Sequence, residues 1–173
     1  MEAPEHLVEK YKTRTGAGLN DTRYGAMIEA LDNSFGKIMS HLQNRGLAEN
    51  TLVIFTSDNG YLCGAHGYGS KVLPYEESSR VPLIIYDPRS EKKADRCNVV
   101  TGNIDLAATI LDAALGRSNH GNGTSLLKHY VKNNNPKRDR IIPLINVWGP
   151  EQVFSLGFVK GEWKYIYWPY TGD

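Results

Sequence analysis

The sequence lacks several features that would have named a function class at once. Two cysteines among 173 residues, Cys63 and Cys97, are too few for a disulfide framework, and they form no C-x-x-C pair of the zinc or redox kind. Basic excess is missing as well. Twenty Lys and Arg against nineteen Asp and Glu leave a formal charge of +1, which does not suit a protein that neutralises a phosphate backbone, so nucleic acid is not an expected partner. No apolar run approaches the roughly 20 residues of a membrane-spanning helix, so no membrane partner is expected. The first ten residues carry acids where an export signal would have a basic start and an apolar middle, and localisation stays open. Internal repeats and low-complexity tracts are absent, which excludes solenoids and arrays.

What remains is ordinary globular material. Hydrophobic residues are 40% and charged residues 23% of the chain, enough to bury a continuous core in one domain with a small appendage. Tyr24, Met27, Ile28, Leu31, Phe35, Ile38, Met39 and Leu42 recur at spacings of three and four, the stripe of an amphipathic helix. Asn20 or Asp21 is placed to cap its start and Gly46 to end it, with Leu47 folding back. Leu52–Thr56 and Val81–Tyr86 read as buried strands, and the uninterrupted apolar character of the first implies a parallel sheet. A second helix is expected over Ile104–Leu115, capped by Asn103 or Thr101 and closed by Gly116. After turn-rich segments around a short helical piece near 126–131, the runs 141–148, 153–159 and 163–168 predict an antiparallel meander, its last two strands joined by Lys160-Gly161-Glu162. The order is α/β. The expected division is 1–116 for a catalytic-type α/β portion and 117–173 for a linker and small antiparallel subdomain.

In open α/β sheets, ligands collect at the carboxyl ends of strands. Ser57-Asp58-Asn59-Gly60 stands at such an end. Its adjacent carboxylate and carboxamide are hard oxygen donors suited to Ca²⁺ or Mg²⁺, although the same four residues make a favoured turn with no ion at all. The continuation weights the choice. Thr56-Ser-Asp-Asn-Gly60, the His66-Gly67 pair, Gly69-Ser-Lys71 and Tyr75-Glu-Glu-Ser-Ser-Arg-Val-Pro-Leu-Ile-Ile85 together resemble the second half of the sulfatase catalytic domain of the alkaline-phosphatase-like superfamily. Asp105–Leu111, Gly123–Leu127 and Trp163–Ile166 are similar to later landmarks of that family, in order.

The resemblance implies part of a mostly parallel sheet flanked by helices, followed by a small C-terminal antiparallel meander. It implies hydrolysis of a sulfate ester, with a sulfated small molecule or glycan as substrate. Asp58 and Asn59 would be two ligands of a divalent metal, Ca²⁺ in most of the family, and Lys71 would hold the sulfate group. His66 is left outside the catalytic set, as a residue near the substrate or a brace of its loop. Arg80 with Glu76 and Glu77 reads as an ion-paired rim.

The pattern also breaks. The family's nucleophile is a formylglycine made within Cys/Ser-x-Pro/Ala-x-Arg, and no Cys or Ser of this sequence is followed by that pattern. Asp58 and Asn59 supply three or four oxygen contacts at best, whereas Ca²⁺ takes six to eight; Asp32, Asp87 and Asp105 lie on other elements. The expectation is therefore the carboxyl-terminal portion of a sulfatase, inactive or incomplete by itself. Two alternatives stand beside it: a phosphatase or phosphodiesterase of the same superfamily, since an oxygen-ligated cation and a lysine suit phosphoryl oxygens equally, and a non-catalytic binding or assembly module whose uncovered sheet edges favour self-association.

Overall fold

A computed structural model describes residues 2–15, 19–90, 96–117, 121–130 and 140–170. The turn-rich stretches 118–120 and 131–139 lie outside the described residues. The chain divides into two compact units, Met1–Leu52 and Val53–Asp173.

The first unit is a helical hairpin of α1 (Glu5–Thr15) and α2 (Leu19–Asn44). Sequence reading finds α2 but not α1, because α1 offers only Leu7, Val8 and Tyr11 as an apolar stripe among charged residues. Those residues are its contact: Leu7 and Val8 are buried with Ala26 of α2, and Tyr11 packs against them. A Lys10–Glu29 ion pair at 2.6 Å flanks the seam. α2 is described over Leu19–Asn44, and the cap expected from Asn20 or Asp21 falls on side chains outside the described ones. The end follows expectation. The Leu47 N–H donates to Leu42 O at 2.9 Å and the Gly46 N–H to Gln43 O at 2.9 Å, with Gly46 at φ +66°; these two bonds define a Schellman cap. The face of α2 packed on α1 is the small-residue side, leaving Ile28, Leu31 and Ile38 of the predicted stripe exposed.

The second unit contains β1 (Val53–Thr56), a loop with the single turn α3 (Glu76–Ser79), β2 (Leu83–Tyr86), α4 (Ile104–Leu115), α5 (Leu127–Tyr130) and the strands β3 (Ile141–Asn146), β4 (Ser155–Lys160) and β5 (Trp163–Tyr167). β1 and β2 pair antiparallel, Val53 opposite Tyr86 and Thr56 opposite Leu83. The apolar run of β1 implies a parallel sheet, but its neighbour among the described residues runs antiparallel to it. A parallel crossover is usually helical, whereas the segment between these strands holds only the 3₁₀ turn Ala65–Gly67 and the four-residue α3. β2 moreover alternates half-buried and exposed residues, the mark of a strand with one face uncovered, and β1 is half-buried throughout, so neither is the fully buried strand expected. The meander forms as expected, in the order β3-β4-β5 and antiparallel throughout.

α4 spans the predicted residues and ends on Gly116 at φ +63°. Its start differs from expectation. Asn103 makes no side-chain cap; Asp105, two residues on, accepts the Gly102 N–H at 2.9 Å. The same fully buried carboxylate accepts the Thr124 N–H at 2.9 Å and a bidentate pair from Arg140, one arm at 2.6 Å. Arg140 immediately precedes β3, so a single side chain joins α4, the segment around Thr124 and the root of the meander. Burial works against ionisation of Asp105, but the Arg140 guanidinium and the two backbone N–H groups outweigh it and hold the carboxyl below the usual carboxylate range.

Because the folded-state pKa is depressed, the stabilisation is present above the unfolded value of about 3.9 and is lost as pH falls through the folded value. Arg140→Met is expected to cost about 3–5 kcal/mol at neutral pH by leaving a buried charge unpaired, and the gap from the parent should narrow as Asp105 protonates in acid. Urea unfolding of both chains between neutral and acid pH measures this; a gap independent of pH contradicts it. Gly60 gives a second expectation. A Cβ there would lie 2.0 Å from the Glu77 carbonyl oxygen, which is backbone, so Gly60→Ala should destabilise by about 1–3 kcal/mol, read by the same unfolding curves.

Candidate functional site

The loop after β1 carries the hydroxyl, carboxylate and carboxamide singled out in the sequence, and its own side chains fold it. The Ser57 hydroxyl donates to Asn59 O at 2.7 Å. Asp58 Oδ1 accepts the Asn59 N–H at 2.8 Å, and the Asn59 amide donates to Gly60 O at 3.0 Å. These short-range bonds between side chains and neighbouring backbone shape the turn locally. From the start of α4, the Asn103 amide donates to Ser57 O at 3.1 Å and Asp58 O at 3.3 Å. The residue expected to cap a helix instead holds the two carbonyls nearest the candidate ligands.

A second clamp comes from α3, and Ser78 is its centre. The Gly60 N–H donates to Ser78 O at 2.8 Å, while the Ser78 hydroxyl donates to Lys71 O. Ser78 is 4% exposed. One buried residue thus ties the turn bearing Asp58 and Asn59 to the segment bearing Lys71. Lys164 of β5 anchors α3 in turn: its ammonium donates to Pro74 O at 3.1 Å and Ser79 Oγ at 2.7 Å and pairs with Glu76. The sequence contains no periodicity that could reveal Ser78, Asn103 or Lys164 as joints, because each acts across a long stretch of chain.

His66 has the bracing geometry. Its ring stacks on Tyr75 with centroids 4.1 Å apart, and Nε2 lies 3.3 Å from Glu77 Oε2. His66 and Cys63 both have positive φ, +55° and +51°, a conformation uncommon outside glycine that tertiary contacts must hold. Arg80 and Glu76 pair at 3.7 Å as an exposed rim. Glu77, exposed at the first turn of α3, has its carboxyl held below the usual range by its own backbone N–H, with burial opposing and the His66 hydrogen bond adding to the effect.

Asn59, Ser70 and Lys71 open onto one shallow cleft of about 360 Å³, together with Ile145, Asn146 and Trp148 from the end of β3 and beyond. Asp58 is exposed and outside that lining. The arrangement brings Asn59 and Lys71 to one space and leaves Asp58 beside it. As a fit for a hard cation, the Asp58 carboxylate and Asn59 carbonyl are two suitable donors, but among the described residues no group of three or more His, Cys, Asp or Glu gathers around a point. Asp87 is paired with Arg89 at 2.7 Å and Asp105 with Arg140, so neither is a spare ligand. Among the described residues no helix is long and apolar enough to cross a membrane.

Comparison with known proteins fits this geometry. A family model described as Sulfatase matches residues 1–116. The chain is 37% identical over 91 residues to the N-acetylglucosamine-6-O-sulfatase of Bacteroides thetaiotaomicron, a match covering 53% of this chain and 16% of that protein. It is 32% identical over 160 residues to the ulvan-active sulfatase of Formosa agariphila, covering 85% of this chain and 30% of that protein. A solved structure of a protein in complex with its substrate D-glucosamine-2-N,6-O-disulfate aligns with 98% of this chain and 37% of its own, at 25% identity and a TM-score of 0.76. The chain therefore spans well under half the length of these relatives. Because the family model covers more than half of the chain and the solved structure superposes on nearly all of it, the chain belongs to the sulfatase family and carries its alkaline-phosphatase-like α/β fold.

Proposed function

We propose that this chain supplies part of the metal and sulfate site of a sulfuric ester hydrolase. Asp58 and Asn59 are two ligands of a divalent cation, Ca²⁺, and Lys71 holds the sulfate group of the ester. The observation that carries the reading is that Asn59 and Lys71 face one cleft, on segments that the same residue, Ser78, fastens together. A bound cation would supply Lewis-acid polarisation of the ester. The Lys71 ammonium pairs with the sulfuryl oxygens and offsets their negative charge, from a backbone position that Ser78 holds. Asn103 and Ser78 keep the two donor segments at constant separation, which is what preorganisation requires.

The family relationship supports a sulfated small molecule or glycan as the ligand, in keeping with relatives named for N-acetylglucosamine-6-O-sulfate and ulvan chemistry. The sequence contains no Cys/Ser-x-Pro/Ala-x-Arg segment, so on this reading the 173-residue chain binds but does not turn over. Purified chain should leave 4-nitrophenyl sulfate unhydrolysed above background, and release of 4-nitrophenolate would contradict that. Calcium titration by calorimetry tests the ligands: Asp58→Ala should weaken Ca²⁺ by at least about tenfold, since even partners of metal ligands are worth that much. Equal Ca²⁺ affinity in parent and variant would remove Asp58 from the site.

A further inference from the structure

The cleft has a feature that neither the metal turn nor the lysine uses. Trp148 is 72% exposed and shares the cleft with Lys71, Asn59 and Ser70. Exposure alone does not single it out, since Ile145, Val147 and Trp163 are exposed as well; what does is the broad apolar face of an indole placed in the same cleft as an ammonium. Nor is its position incidental. Asn146 spends its side chain on this loop: its amide donates to Val153 O at 2.7 Å, and its Oδ1 accepts the Trp148 N–H at 3.4 Å. The backbone then turns at Gly149, φ +97°, into a 3₁₀ turn over Glu151–Val153. The loop carrying the ring is thus tied back to the strand on which it begins.

We propose that Trp148 is the platform for the ring of a pyranose sulfate, stacking on the sugar's C–H face while Lys71 takes the sulfate. This rests on the reading of Lys71 as the sulfate-holding residue. Neither group would discriminate by itself, since an ammonium attracts any anion and an indole any apolar face. Together they select a ligand with a ring and an anion joined at fixed separation. Ser70 in the same cleft offers a hydroxyl that suits sugar hydroxyls better than an aryl ring. The cleft, at about 360 Å³, falls near the small end of ligand sites, roughly 300–1,000 Å³, which is room for one sugar ring beside the lysine. The meander thereby becomes part of substrate selection.

The test is a set of NMR titrations of the full chain, following the Trp148 indole N–H, identified by its disappearance in Trp148→Ala. The probes are glucose 6-sulfate, glucose, inorganic sulfate and 4-nitrophenyl sulfate. Glucose 6-sulfate should shift the Trp148 signal and inorganic sulfate should not. Trp148→Ala should weaken glucose 6-sulfate about tenfold and leave inorganic sulfate unchanged, Trp148→Phe should recover part of the loss, and Lys71→Met should weaken both sulfates. Amide signals of β3 and β4 report whether a variant keeps the meander. Undiminished glucose 6-sulfate binding in Trp148→Ala, with Lys71→Met still weakened, overturns the platform and spares the lysine assignment. Inorganic sulfate binding that survives Lys71→Met, or no sulfate binding by the parent chain, overturns the lysine assignment and the platform with it. Tighter, Trp148-dependent binding of 4-nitrophenyl sulfate than of glucose 6-sulfate assigns the ring to aryl esters and overturns the sugar proposal.

Discussion

The cleft depends on a buried carboxylate that takes no part in it. Asp105 is fully inaccessible, and its oxygens are taken up by Arg140, the Thr124 N–H and the Gly102 N–H. Without that anion, the strand that opens the meander would have no polar tie to α4. The cleft draws four of its seven lining residues from the loops around β1 and α3 and three from the end of β3 and beyond, so the junction bears on whether those groups share a space. A buried ion pair of this kind is seldom favourable over an apolar replacement. Its value here is register: it fixes one docking of the meander among the several that a set of apolar strands would accept.

Around that junction, each group with a chemical assignment is held by one with none. Asn103 grips the carbonyls of Ser57 and Asp58, Ser78 joins the turn to the lysine segment, and Lys164 secures α3 from the far strand. Two polar side chains and a largely buried ammonium thus do for the loops what a hydrophobic core does for helices. Loops have few apolar groups to bury, and directional hydrogen bonds are the means left to fix them.

Much of this was legible in the sequence, for reasons that can be named. α2 and α4 announce themselves by apolar spacing and by Gly46 and Gly116 at their ends; the meander does so by short β-branched and aromatic runs. The Asp58-Asn59 turn, the Lys71 loop and the 75–85 segment were legible as linked motifs. α1 was not, because three apolar residues among charges give too weak a period. The direction of β1 against β2 was not, because apolar content says how far a strand is covered and nothing about which way its neighbour runs. Asn103 was misread for a related reason: an asparagine before a helix is an ordinary cap until a carbonyl elsewhere competes for its amide. Trp148 carried no local signal, since its significance arises only when β3 ends beside Lys71.

The long reach of these ties has a consequence for how the molecule assembles. The bonds from Lys164 to Pro74 and Ser79 close chain segments of 90 and 85 residues, and the Asn103 bonds close spans of 46 and 45. Contacts between such distant positions are slow to form, because the entropy of bringing the ends together precedes any reward. Helical hairpin and meander, built from neighbours in the chain, can form early; the ligand cleft can appear only after both strand groups are docked. A ligand that binds only the docked arrangement stabilises it by mass action, so occupancy of the cleft and docking of the strand groups are linked.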